Sequence, residues 1–202
     1  MKLILSSCDF RNPTSAKFII DHLCKPLSDC KVLYFPNEKV TPEKVKSGMY
    51  EARVSSFGFQ KKNIYVANYF EPAPFWGLDI DAIYISGGNT FGTMKLLRDS
   101  GLDKAIVEYV QNGVVYIGGS AGAHIATADI SHVAKYDTDT FSLTDFSGLG
   151  LYQGILVCHY TEDRKQDYET LKSQSPHSVT RLSDSESTLV SLTDSNRIFS
   201  KD

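Results

Sequence analysis

Apolar and polar positions along this chain fall into two alternating rhythms. Short runs that are almost wholly apolar recur at Leu3–Leu5, Val32–Phe35, Ile64–Val66, Ala82–Ile85, Val114–Ile117 and Ile155–Cys158. They are rich in β-branched and aromatic side chains, and predict strands buried on both faces. Helical spacing separates them. From about Ser15 to Leu27, residues Phe18, Ile19, His22 and Leu23 mark one helical face. Thr41-Pro42-Glu43 reads as a helix start, with Thr as the cap and Pro at the first helical position. Phe91, Met94 and Leu97 mark a helix after Asn89, an apt N-cap, and Leu102–Val110 marks another. Residues 131–148 carry no period and predict irregular connections. Ser178–Ser200 alternates β-branched and polar residues, which predicts short, partly antiparallel strands at a sheet edge. Strands alternating with helices predict an α/β fold: a mainly parallel sheet flanked by helices on both faces, as a single domain over residues 1–202.

Composition narrows the function classes. A hydrophobic share of 42% with 22% charged residues is that of a globular protein, not of a disordered chain. The net charge is −3 and no basic stretch interleaves with aromatics, so nucleic acid is not an expected partner. No apolar run approaches the length of a bilayer span, and the opening one meets Asp9 and Arg11 too soon for a signal peptide. The cysteines Cys8, Cys24, Cys30 and Cys158 lack Cys-x-x-Cys spacing, which argues against a zinc site or dithiol pair and for a reduced, cytoplasmic setting.

In a parallel sheet, binding groups gather at the carboxyl ends of the strands. Three predicted strands end in chemically pointed sequences: Gly87-Gly88-Asn89, Gly118-Gly119-Ser120 and His159. The run Gly118-Gly119-Ser120-Ala121-Gly122 has the form of a nucleophile elbow. Glycines two before and two after the serine let strand and helix approach while the turn projects the hydroxyl. The Ala121 N–H, and that of Gly88 on the neighbouring turn, are then candidate oxyanion donors. The competing reading is a Gly-rich strand–helix turn, with Asn89 capping the helix behind it. His159, at a strand end, is the best-placed base for Ser120. His22 and His124 fall in helical patterns, and His132 and His177 lie in polar segments without a partner signal.

Ile85-Ser-Gly-Gly-Asn-Thr-Phe91, Tyr116-Ile-Gly-Gly-Ser-Ala-Gly-Ala123 and Cys158-His-Tyr160 resemble peptidase E, the aspartyl dipeptidase family of serine peptidases, with cyanophycinases as more distant relatives. The likeness runs in order from Met1 to about Leu192. It implies a flavodoxin-like fold of the class I glutamine amidotransferase kind, with serine where those enzymes carry cysteine. It implies Ser120 as nucleophile, His159 as base, Gly88 and Ala121 as oxyanion donors, and cleavage of dipeptides with an N-terminal aspartate. No metal or other cofactor is implied. The expected partner is a small peptide, on a monomer or homodimer.

The chain departs from that family in two places. The family's acid is a glutamate in a strand-entry motif equivalent to Leu182-Ser-Asp-Ser-Glu-Ser-Thr-Leu189. Matching forward from Leu182 selects Asp184, matching backward from Leu189 selects Ser185, and Glu186 is adjacent; Asp137 and Asp139 are weaker candidates. The loop after His159 is also shorter. Its Arg164 matches the family's substrate-gripping arginine by a local Arg-x-Gln pattern, beside Glu162 and Asp163. Arg164 and Asn89 are thus the candidate substrate-binding residues. The expectation is a serine peptidase acting on short peptides. Its rivals are a catalytically weak binding or sensing protein on the same scaffold, and a short-peptide hydrolase of broader specificity.

Overall fold

A computed structural model describes residues 1–72, 77–138 and 140–191, together with the backbone of 197–199. Its strands, in chain order, are β1 (Lys2–Ser6), β2 (Val32–Phe35), β3 (Ile64–Val66), β4 (Ala82–Ile85), β5 (Val115–Gly119), β6 (Ile155–Val157), β7 (Val179–Arg181), β8 (Ser187–Ser191) and β9 (Arg197–Phe199). The helices are α1 (Pro13–His22), α2 (Pro42–Lys46), α3 (Met49–Ser55), α4 (Thr90–Ser100), α5 (Leu102–Gln111), α6 (Ala121–Ile125) and α7 (Lys165–Gln174).

Seven strands form one sheet in the order β3-β2-β4-β5-β1-β8-β9. The first five run parallel, and β8 and β9 close one end antiparallel. Every residue of β2, β4 and β5 is buried, as covering by helices on both faces requires. In β8 burial alternates, Thr188 and Val190 facing in, which is the signature of a strand covered on one side. The register places Ser6 opposite Gly119, and Ile85 opposite Gly118. The loops leaving β1, β4 and β5 therefore emerge side by side.

Two expectations need correction. The sixth strand does not join the main sheet: β6 pairs in parallel with β7 as a separate two-stranded sheet. The flank of β1 away from β5 is already taken by β8, so β6 has no edge there. The first helix begins at Pro13 and not Ser15, because Asn12 accepts hydrogen bonds from the N–H groups of Thr14 and Ser15. It ends at His22 and not Leu27, with Pro26 four residues beyond and unable to continue it. No helix among the described residues is long and apolar enough to cross a membrane.

Candidate active site

The turn from β5 into α6 is built by contacts that tolerate no side chain. A Cβ at Gly122 would overlap the carbonyl oxygen of Ile85, and one at Gly118 would lie 2.6 Å from the Gly122 carbonyl oxygen. Tyr116, wholly buried, donates from its hydroxyl to that same Gly122 carbonyl at 2.6 Å. Helix α6 is thereby clamped against the ends of β4 and β5. Ser120, between them, adopts φ 51° and ψ −110°, a region that non-glycine residues enter only under constraint. Its N–H donates to Ser6 O at 2.9 Å, and its carbonyl accepts from Ala123 and His124.

The hydroxyl so presented meets His159. Ser120 Oγ lies 2.8 Å from His159 Nε2, and His159 Nδ1 lies 2.6 Å from Asp184 Oδ1. The hydrogen bond from His159 holds the Asp184 carboxyl below its ordinary range, so it is ionised and accepts only. The proton must then sit on Nδ1, which leaves Nε2 of the neutral ring as the acceptor for the serine O–H. His159 itself has φ 56°, and its backbone N–H donates to Ser7 Oγ at 2.7 Å. The Ser7 hydroxyl also lies 3.4 Å from Asp184 Oδ1, within donating reach.

Ser120, His159 and Asp184 line a cleft of about 280 Å³ that also takes in Gly87 and Gly88, just under the roughly 300–1,000 Å³ usual for small-ligand pockets. Ala121 is buried at the first position of α6, where an N–H has no acceptor within its own helix.

A family model described as Peptidase family S51 matches residues 3–198. The chain belongs to peptidase family S51. An uncharacterized peptidase of Listeria innocua is 36% identical over 98 residues, 44% of this chain and 47% of that protein. Peptidase E of Citrobacter koseri is 36% identical over 83 residues, 41% of this chain and 35% of that one. These alignments thus span less than half the length of the curated relatives. The crystal structure of a Listeria monocytogenes protein provisionally named peptidase E superposes with a TM-score of 0.72 at 20% identity, covering 100% of this chain and 98% of that one. At that identity the likeness speaks for the fold alone.

Within this S51 chain the candidates for the third member of the triad separate cleanly. Asp184 reaches His159, whereas Glu186 turns back to accept from Ser183 N at 2.6 Å and closes its own turn. Ser185 lies between them in that turn, and no hydrogen bond joins it to His159. Asp137 caps α4 through Thr90 N at 2.8 Å, and Asp139 lies outside the described residues. Neither candidate substrate-binding side chain lines the cleft. Asn89 spends its amide on Gly92 N at 2.9 Å and Thr138 O at 3.0 Å. Arg164 stacks on Tyr136 at 4.3 Å and donates to Cys158 O at 3.4 Å. Its acidic neighbour Glu162 pairs instead with Arg181 at 3.6 Å.

The end of β1 is what sequence reasoning missed. Ser7, Cys8 and Arg11 all reach the site, and their signal was the polar Ser6-Ser7-Cys8-Asp9 that follows the first buried strand at once. Cys8 Sγ lies 4.0 Å from His159 Nδ1. Burial, then Asp184, pushes its thiol up to about 11, so it rests protonated near neutrality. Among the described residues, Cys8, His159 and Asp184 are the one group with metal-ligand donor atoms clustered, all within 4.8 Å.

Three other histidines stay away from Ser120 Oγ. His22 bonds Phe18 O, and His132, for which the sequence offered no partner, bonds Leu156 O. His124 is buried: Nε2 accepts from Cys158 N at 3.3 Å, and Nδ1 lies 3.4 Å from Thr90 Oγ1. It ties the helix behind Ser120 to the residue before His159.

Proposed function

We propose that this chain hydrolyses short peptides, dipeptides with an N-terminal aspartate foremost, through an acyl-enzyme on Ser120. The reading is carried by one observation: Ser120 Oγ, His159 and Asp184 are hydrogen-bonded in line at 2.8 and 2.6 Å. His159 Nε2 takes the hydroxyl proton as Oγ attacks the peptide carbonyl. The Gly88 and Ala121 amides receive the developing oxyanion. Asp184 fixes the ring's tautomer and stabilises the imidazolium that forms. His159 then protonates the leaving amine, the C–N bond breaks, and a water deprotonated by the same ring releases the acyl group from Oγ.

The cleft volume suits a short peptide better than a folded protein. One feature favours a weaker or less selective activity: the Asp184 side chain is 65% exposed, so solvent competes for the hydrogen bond that steadies His159.

The test is a panel of Asp-X, Glu-X and neutral dipeptides incubated with the protein and with Ser120→Ala. Amino-acid release by the native chain, falling at least about 10⁴-fold in Ser120→Ala, is expected. Absence of Ser120-dependent release from every member would favour a binding or sensing role.

A further inference from the structure

Of the described residues that line the cleft, Arg11 alone is a lysine or arginine, and its placement is fixed from behind. Asp9 is wholly buried, with φ 49°, and its Oδ1 accepts from both Arg11 N at 3.2 Å and Arg11 Nε at 2.9 Å. A charge buried to that degree needs its partner, so the guanidinium stem is not free to swing away. The bond uses Nε only. Nη1 and Nη2 make no hydrogen bond to a described residue, and the side chain, 45% exposed, lines the cleft.

The outer end of that fork lies beside the serine. A Cβ at Gly87 would sit 2.6 Å from Arg11 Nη2 and 3.2 Å from Ser120 Cβ, so both flank the one spot that Gly87 leaves open. Any other residue there would push the guanidinium out. A planar fork with two unused N–H edges, held rigid by a buried carboxylate, is matched in geometry and charge by one common peptide group, a carboxylate.

We propose that Arg11 is the specificity-determining residue of this cleft, binding a carboxylate of the peptide substrate through Nη1 and Nη2. It takes the part that the sequence pattern suggested for Arg164. The inference rests on the peptidase reading and relocates its selectivity from the loop after His159 to the turn after β1. The carboxylate is either the side chain of an N-terminal acidic residue or the C-terminus of the dipeptide, and the assay separates the two.

Steady-state kinetics on Asp-X, Asn-X and the C-terminal amide of Asp-X are compared for the native chain, Arg11→Met and Arg11→Lys. If Arg11 reads the side chain, Arg11→Met loses about 30- to 100-fold in kcat/KM on Asp-X and little on Asn-X. If it reads the terminus, the native chain discriminates against the amide by that factor and Arg11→Met does not. Arg11→Lys keeps a cation for Asp9 and loses the fork, so it folds and shows the same change of ratios in milder form. Variants that slow all three substrates alike would reduce Arg11 to a prop for Asp9 and overturn the proposal. A native chain without Ser120-dependent turnover would instead overturn the peptidase reading beneath it.

Discussion

Asp184 and Glu186 stand two residues apart and do different work, which substitution should expose. Asp184→Asn keeps the shape but donates where it should accept, so Nδ1 loses its proton and Nε2 becomes a donor toward Ser120. Turnover is expected to fall by about 10²- to 10⁴-fold, the smaller figure following from the exposure of this carboxyl. Glu186→Gln should leave kcat within about threefold, because its carboxylate serves the turn through Ser183 N. Equal losses at the two positions would contradict this assignment. Gly122 offers a second residue-scale test. Gly122→Ala drives a methyl into the Ile85 carbonyl, backbone that cannot step aside, and should cost about 1–3 kcal/mol in urea unfolding as well as most activity. A Gly122→Ala chain of native stability and turnover would show that the elbow is looser than its contacts require.

At the scale of elements, α6 is five residues long and owes its position to what surrounds it. Beside the Tyr116 hydroxyl on the Gly122 carbonyl, His124 is a second polar tether, and its ring is enclosed. Burial, then the nearby His132, His159 and Arg164, drives the His124 imidazole well below the ordinary histidine value. Burial lowers His132 too. The folded chain therefore binds fewer protons at these rings than the unfolded chain does once pH drops below about 6.5. Their contribution is fully present above that value and is lost as pH falls. The denaturation midpoint should decline between pH 7 and pH 5, and His124→Gln should flatten the decline. A midpoint constant over that range would contradict the account.

This element was only half legible beforehand. Gly118, Ser120 and Gly122 announced the turn because small residues at fixed offsets have few other uses. The tether through His124 was invisible, since it depends on β6 leaving the main sheet, and nothing local to Ile155–Cys158 encodes which edge that strand will find. The start and end of α1 escaped for a simpler reason: capping by Asn12 and the stop before Pro26 outweigh apolar periodicity.

Across the whole molecule, the strand order does the assembling. With β1 next to β5 and β5 next to β4, three loops that are distant in sequence leave the sheet within one small area. The alternation of apolar runs was enough to foresee a parallel sheet, and the sequence at three strand ends was enough to nominate Ser120 and His159. Arg11 was passed over because the value of the β1 turn lies in adjacency to β5, which one chain read in order does not display. Arg164 drew attention by local pattern, yet Tyr136 and the Cys158 carbonyl claim its guanidinium.

The central claim, that Ser120 and His159 act as one unit on a peptide bond, is tested most directly by additivity. Steady-state kcat on an Asp-X dipeptide would be measured for Ser120→Ala, His159→Gln and the double variant. Residues of one relay fail together, so all three should drop to the same floor, with the double no slower than either single. A double variant whose loss is the product of the single losses, or a Ser120→Ala chain that still turns over at the native rate, would contradict it.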